Sequence, residues 1–200
     1  MSTMILGMAL LALQPKPAVE PELLPPTLPD WRLERINFPL PFAPELAYDG
    51  YEELQFAPGM FNPKSDTYFT YVFAMKISDD VTVDDAFLNK LLTTYYRGLC
   101  RAVAKGTDFK IDPTKITAVV KEEHYEAPHS RHFHGTLQSY DPFVTGKPLK
   151  LHLEILTVEF GAGDHRIYAS VSPKPSDNLI WKILRGIEKA FRMQSTPKRP

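Results

Sequence analysis

Residues 131–160 read RHFHGTLQSYDPFVTGKPLKLHLEILTVEF, and they carry the clearest structural pattern in the chain. They contain two extended runs, Arg131–Tyr140 and Leu149–Phe160, joined by a connection of hairpin length. Apolar and polar residues alternate along both runs, which is typical of β-strands that bury one face. The sequence therefore predicts an antiparallel hairpin across these residues.

Further extended runs surround this hairpin. Lys115–Tyr125 precedes it and Arg166–Ser172 follows it, with connections short enough for antiparallel pairing. In Tyr68–Ile77 every second residue is large and apolar, which indicates another strand. The remainder of Trp31–Ile77 consists of shorter extended runs interrupted by proline and glycine, so we expect strands and loops there without a helix.

Two segments show the four-residue spacing of apolar residues that is typical of amphipathic helices. The first begins after Thr82, its predicted N-cap, and ends before Gly106, and the second begins after Ser176. Each helix has one apolar stripe, and the sheet needs a cover on one face. The sequence therefore predicts an α+β two-layer sandwich, in which an antiparallel sheet of about six or seven strands carries both amphipathic helices on one face.

The ends of the chain differ in composition from the rest. Residues 1–14 contain an apolar run, Met4–Leu13, that has the length of a signal-peptide core and is too short to span a bilayer alone. Residues 15–30 are rich in proline and are predicted to form a linker. We expect a single folded domain over residues 31–194 and a polar tail over residues 195–200.

The apolar run favours export to the periplasm or the extracellular space, with no transmembrane span in the mature protein. However, the run lacks a basic start and a well-formed cleavage site. A cytoplasmic protein with an apolar start therefore stays an alternative.

Composition argues against several classes of function. The chain of 200 residues has a formal net charge of -1, which provides no basic excess for binding a nucleic-acid backbone. Cys100 is the only cysteine, so the chain forms neither an internal disulfide nor a cysteine-based zinc cluster. The sequence has no GxSxG, HExxH or Walker motif, and it identifies no cofactor.

The alternation within the hairpin brings polar residues together. The odd-numbered residues of its second strand are apolar and face the core, so the even-numbered residues share the opposite face and His134 lies near Glu154. A turn around Pro128 would bring Glu123 of the preceding strand opposite His134. We therefore expect a row of these three side chains across three strands, with more histidines beside it.

This row is the one chemical cluster that the sequence indicates. A histidine between carboxylates can act as a general base, so the candidate catalytic residues are Glu123, His134 and Glu154. Imidazoles and carboxylates also bind zinc, so the candidate metal ligands are His132, His134, His152 and Glu154. The alternative interpretation is a solvated sheet face on which opposite charges pair across strands.

Two classes of function follow from these observations. The first is a non-catalytic, exported module that binds a small apolar ligand or a protein partner, with a pocket formed between sheet and helices by the aromatic segment Trp31–Phe73. The alternative interpretation of that segment is that its aromatic residues are ordinary core, namely Phe42, Phe56, Phe61 and Phe69. The second class is a hydrolase-type enzyme, with or without metal, at the His/Glu cluster. We expect the binding module, and the sequence leaves its ligand and its oligomeric state open.

Overall fold

The computed structural model describes residues 22–123, 129–161 and 163–195. These residues form a seven-stranded antiparallel sheet and two α-helices, which confirms the predicted α+β class. The strands are β1 (Arg32–Asn37), β2 (Gly50–Phe56), β3 (Tyr71–Ile77), β4 (Thr117–Glu123), β5 (Ser130–Tyr140), β6 (Pro148–Glu159) and β7 (His165–Ser172). The helices are α1 (Asp85–Ala104) and α2 (Ile180–Ser195). The order across the sheet is β1-β2-β3-β7-β6-β5-β4, so β1 and β4 are the edge strands.

The hairpin that the sequence predicts is the pair of strands β5 and β6. His134 lies opposite Glu154, and Thr136 lies opposite His152, as the alternation predicts. Leu153, the neighbour of Glu154, points to the other face of the sheet and is buried there. The local pattern of the sequence thus determines the register of this pair.

The sheet buries apolar side chains on both of its faces. On one face α1 covers a large core that includes Phe73, Leu153 and Val171. On the opposite face α2 covers a second core that includes Leu156 and Tyr168. The placement of the helices therefore differs from the prediction of one shared face, because the sheet lies between α1 and α2.

The middle strands of the sheet explain this difference. Strand β3 is buried at every position over residues 71–75, and β6 is buried continuously over residues 155–158, so both strands have apolar residues on both faces. A strand of this kind needs cover on each side, since one helical layer would leave the second apolar face in water.

The described part of the predicted linker belongs to the folded domain. Leu23 and Leu24 are buried in the second core, and both of their backbone N–H groups donate to Glu53 Oε2 at 2.9 Å. The side chain of Gln194, near the end of α2, donates to the Leu23 carbonyl at 2.6 Å. The packed domain therefore includes residues 23 and 24, upstream of the predicted start at residue 31.

Other sequence-based boundaries fall partly outside the described residues. The apolar run 4–13, the start of the predicted linker and residues 196–200 lie outside them. Ser195, which was expected in the polar tail, is the buried last residue of α2. Neither helix in the described ranges combines the length and the apolar character that a membrane crossing requires.

Both helices begin later than predicted. The N-cap of α1 is Asp84 in place of Thr82, and its carboxylate accepts a hydrogen bond from the Phe87 N–H at 2.8 Å. At the start of α2 the side chain of Asn178 accepts a hydrogen bond from the Ile180 N–H at 3.1 Å. Both segments contain several residues suited to capping, so composition alone does not select the one that is used.

Candidate functional site

The predicted site residues share the sheet face that also carries α2. Glu123 comes from β4, and β5 and β6 supply the others. The side chains from these two strands are His132, His134, His152 and Glu154. All five line one concave surface, which we call the polar groove. The alternation of the strands is what places them there.

The register of β4 differs from the prediction by two residues. Glu123 lies opposite His132, and Lys121 lies opposite His134. The prediction of Glu123 directly opposite His134 is therefore wrong, and the turn around Pro128 on which it rested lies outside the described residues. The two side chains still meet diagonally, with Glu123 Oε2 3.6 Å from His134 Nδ1. They are 65% and 59% exposed, so solvent screens this contact strongly.

The carboxylate of Glu154 is held by α2. Arg185 donates from Nε to Oε2 at 3.0 Å and from Nη2 to Oε1 at 2.6 Å, so its guanidinium binds both carboxylate oxygens. His134 is therefore not flanked by two free carboxylates. Sequence reasoning missed this partner because it placed α2 on the other face of the sheet.

Two histidines of the groove have lowered pKa values. Partial burial, reinforced by the charge of Arg192, lowers the pKa of His132. Partial burial, reinforced by Lys150, also lowers the pKa of His152. The lowered pKa values favour the neutral imidazole, in which one ring nitrogen donates a hydrogen bond and the other accepts one.

The candidate metal ligands share a face without forming a ligand set. Within the described ranges, no three side chains from His, Cys, Asp and Glu are arranged to hold a metal ion. A zinc site requires three or four such ligands, and Glu154 already binds Arg185. The groove as it stands contains two contacts between polar side chains, Glu154 with Arg185 and Glu123 with His134.

The shape of the polar groove is set by sheet and helix together. Strands β4 to β6 form its floor, and Trp181, Arg185 and Glu188 of α2 form its wall. The cavity measures about 550 Å³. A groove of this size can accommodate a polar molecule, with neutral imidazoles and carboxylates along its floor.

A second concave surface, which we call the apolar cleft, lies on the α1 face beside edge strand β1. Its volume is about 250 Å³. The side chains around it are Arg32, Glu34, Ile36, Phe42, Leu54, Phe56, Met60, Phe61, Tyr71, Tyr95, Leu99, Val103 and Phe143. Apart from Arg32, Glu34 and the tyrosine hydroxyl groups, these side chains are apolar.

Helix α1 and one close backbone contact shape the cleft. Tyr95, Leu99 and Val103 lie four residues apart, so they form one stripe of α1 along the cleft. Gly98 faces the loop that carries Phe42, and a Cβ at this position would lie 2.1 Å from the Phe42 carbonyl oxygen. Glycine therefore allows this loop to approach α1, and the Phe42 ring packs edge-on against Tyr95 with 4.9 Å between the ring centres.

Charged groups occur only at the rim of the cleft. The Arg32 guanidinium lies 5.7 Å from the ring centres of both Phe56 and Phe61, a cation–π arrangement. Glu34 follows on the same face of β1. The rim thus carries one positive and one negative side chain above an apolar floor.

The two interpretations of the aromatic segment each apply to part of it. Phe69 is ordinary core and is fully buried. Phe42 and Phe56 are half-buried and line the cleft, and Phe61 lines it while 41% exposed. The expected pocket between sheet and helix is therefore present beside α1.

A buried acid that the sequence did not reveal lies beside the cleft. Glu52 is fully buried, and its Oε1 accepts a hydrogen bond from the Tyr95 hydroxyl at 3.3 Å. Burial raises the pKa of Glu52 to about 8. Its Oε2 forms no hydrogen bond with any described residue. The available signal was an acidic residue next to Tyr51 inside a strand, but sequence alone does not distinguish such a residue from an exposed one.

No protein-family model, curated protein or solved structure matches this chain. Function is therefore inferred from the two concave surfaces. In the polar groove Glu154 is already bonded to Arg185, and Glu123 lies near His134. In the apolar cleft the lining side chains leave apolar surface open to solvent.

Proposed function

We propose that this protein is a non-catalytic module that binds a small apolar molecule in the apolar cleft. The observation that carries the proposal is the concave convergence of apolar side chains from β1, β2, β3, α1 and three loops, with charge only at the rim. Binding sites for small molecules are typically concave and apolar, with few polar groups to orient the ligand.

The exposure of Phe61 supports a ligand at this place. Its ring packs edge-on against Phe143 with 5.3 Å between ring centres, and it also lies 6.2 Å from the ring centre of Phe56. Phe61 is nevertheless 41% exposed. Burying apolar surface is favourable by roughly 25 cal/mol per Å², so covering this ring with an apolar ligand would favour binding.

The size of the cleft limits the ligand. Its 250 Å³ is below the roughly 300–1,000 Å³ that is common for drug-sized ligands. An apolar cavity of about 150 Å³ already binds benzene in another protein. The expected ligand is therefore on the scale of one aromatic ring or a short hydrocarbon chain.

Fluorobenzene is a suitable probe, because its size matches the cleft and its fluorine resonance reports binding directly. We expect saturable binding to one site when the full chain is titrated and followed by ¹⁹F NMR. Leu99→Trp places a large ring in the cleft and should weaken binding by at least tenfold. Leu179→Trp adds the same ring at a position on the other side of the sheet that is 72% exposed, and it should bind like the wild type.

Circular dichroism and thermal unfolding of both variants establish that they are folded. A titration without saturation, or equal binding by the Leu99→Trp variant and the wild type, would contradict the proposal. Parallel titration with 4-fluorobenzoate shows whether a carboxylate near Arg32 strengthens binding. Tighter binding of the anion than of fluorobenzene would extend the ligand class to small aromatic acids.

A hydrolase-type activity at the polar groove is the second candidate function. The contact between Glu123 and His134 favours it, because a carboxylate beside an imidazole can orient the ring as a base. A zinc titration of the full chain, followed by calorimetry, tests the metal-dependent form. Stoichiometric binding that His134→Ala abolishes would raise this candidate above the binding module, and no binding at micromolar zinc would remove the metal-dependent form.

A further inference from the structure

The two edges of the sheet differ in whether their outward backbone groups are covered. Side chains of α1, spaced four residues apart, accept hydrogen bonds from alternate backbone N–H groups of β4: Thr93 from Ala118 at 3.0 Å, Asn89 from Val120 at 2.7 Å and Asp85 from Glu122 at 2.8 Å. An open edge is a template for pairing with another strand. Helix α1 thus closes the β4 edge.

The β1 edge has no such cover among the described residues. The Phe38 N–H donates to the Gly50 carbonyl, so the even-numbered residues of β1 are the ones that bond to β2. The N–H and C=O groups of Leu33 therefore point away from the sheet. No described residue forms a backbone hydrogen bond with them. The Leu33 side chain is 44% exposed.

The side chains on either side of this open backbone carry opposite charges. Arg32 and Glu34 flank Leu33 and lie on the cleft face of β1. Neither forms an ion pair with another described residue. The sequence Arg-Leu-Glu thus presents a positive charge, an exposed apolar side chain and a negative charge along one open edge.

We propose that β1 pairs in antiparallel fashion with β1 of a second copy of this chain, with Leu33 opposite the partner's Leu33. The outward N–H and C=O groups of the two leucines then exchange two hydrogen bonds. In the same register Arg32 lies opposite the partner's Glu34, and Glu34 lies opposite the partner's Arg32. The result is a two-fold symmetric dimer with one continuous sheet.

Charge selects this register over the adjacent ones. Centring the pair on Arg32, on Glu34 or on Arg35 places two like charges directly opposite each other. Like charges in such positions are destabilising, whereas opposite charges stabilise by roughly 0.2–1 kcal/mol per pair. Edge strands that avoid pairing commonly carry charges that repel a second copy, but the charges here attract one in the Leu33-centred register.

The dimer also affects the apolar cleft. Arg32 and Glu34 belong to its rim, so pairing brings the partner's Glu34 to the rim of this cleft and the two clefts next to each other across the two-fold axis. The pairing itself depends on the backbone and the charges of β1. The proposed dimer therefore does not depend on the ligand proposed above.

Sedimentation of the full chain over micromolar to millimolar concentrations tests the dimer. We expect the wild type to sediment with twice the monomer mass at the higher concentrations. Glu34→Arg places arginines opposite each other and should weaken dimerisation at least tenfold. The combined Arg32→Glu and Glu34→Arg exchange restores opposite charges and should restore the dimer.

Two further variants separate pairing at β1 from other effects. Asp108→Arg makes the same charge change at an exposed loop residue and should leave the dimer unchanged. Leu33→Pro removes only an outward N–H, so β1 can remain paired with β2 while the dimer is lost. Circular dichroism establishes that each variant is folded.

Disulfide formation reports the register. A chain with Arg32→Cys mixed with a chain with Glu34→Cys should form a cross-linked heterodimer under mild oxidation, because these positions lie opposite each other in the proposed pair. Each cysteine chain alone should cross-link much less. Cys100 is buried and does not compete.

A wild type that stays monomeric up to millimolar concentration would overturn the proposal. A dimer whose affinity is unchanged by Glu34→Arg would also overturn it. So would preferential cross-linking of the Glu34→Cys chain with itself. None of these results bears on fluorobenzene binding, so failure of the dimer and failure of the ligand site are distinguishable.

Discussion

Glu52 and Glu53 are neighbours in β2 and both are buried, but their side chains lie on opposite faces of the sheet. Glu53 lies on the α2 side, where Arg35 Nε at 2.8 Å and the N–H groups of Leu23 and Leu24 bind its carboxylate. Glu52 lies on the α1 side, where the Tyr95 hydroxyl is its one hydrogen-bond partner among the described residues. One acid is thus compensated by a cation and two N–H groups, and the other is not.

Glu52→Gln should remove a pH dependence from the stability of the protein. Burial raises the pKa of Glu52 from 4.5 to about 8, so between these values the folded state holds a proton that the unfolded state releases. The contribution of this group to stability is therefore full below the lower value and is lost as pH rises toward the higher one, by up to about 1.4 kcal/mol per pH unit. Glutamine is neutral throughout, so the variant should match the wild type in mild acid and exceed it in mild alkali.

Urea unfolding at several pH values across this range measures the effect. Glu159→Gln, at an exposed position of β6, is the control and should run parallel to the wild type. If the Glu52→Gln curve also ran parallel to the wild type, Glu52 would not be protonated in the folded state.

Leu24→Ala should destabilise the domain by about 2–5 kcal/mol, because Leu24 is buried in the second core. Leu28→Ala, in the same segment but exposed, should cost under about 1 kcal/mol. A chain that begins at Asp30 loses the buried leucines and two N–H donors to Glu53, and it should melt several degrees lower than the full chain. Thermal unfolding of the three proteins checks this, and an unchanged melting temperature of the shortened chain would show that the N-terminal segment contributes nothing.

Leu153→Ala and Glu154→Gln should differ strongly in their effects. Leu153 is buried in the α1 core, and its truncation should cost about 2–5 kcal/mol. Glu154→Gln weakens an ion pair whose partner Arg185 is half exposed, and it should cost under about 1 kcal/mol. Chemical denaturation measures both changes, and comparable losses would be inconsistent with the faces to which these neighbours point.

Asn89→Ala should weaken the closure of the β4 edge. The Asn89 side chain accepts from the Val120 N–H at 2.7 Å and donates to the Val120 carbonyl at 3.3 Å, so alanine leaves both backbone groups unbonded. We expect a loss of about 1–3 kcal/mol. We also expect increased self-association through β4, which sedimentation detects. Lys90→Ala, at the next and exposed helix position, should change neither property.

The features that depend on local alternation of polar and apolar residues could be predicted from the sequence alone. In β5 and β6 polar and apolar residues exchange faces with a period of two, and a one-residue slip would bury charged side chains. For this reason the pairing of His134 with Glu154 and the burial of Leu153 follow from residues 131–160 alone. The α+β class follows in the same way from the helical and strand periodicities.

The contacts that each of these residues makes depend on the packing of distant elements. Glu154 binds Arg185, which is 31 residues away on a helix whose face of the sheet depends on the apolar residues of β3 and β6 together. The burial of Glu52 and Glu53 likewise depends on α1 and on the N-terminal segment, which cover opposite faces of one strand. A sequence pattern describes one strand or helix at a time, whereas burial and pairing of a charge are set by elements far away in the chain that pack against it.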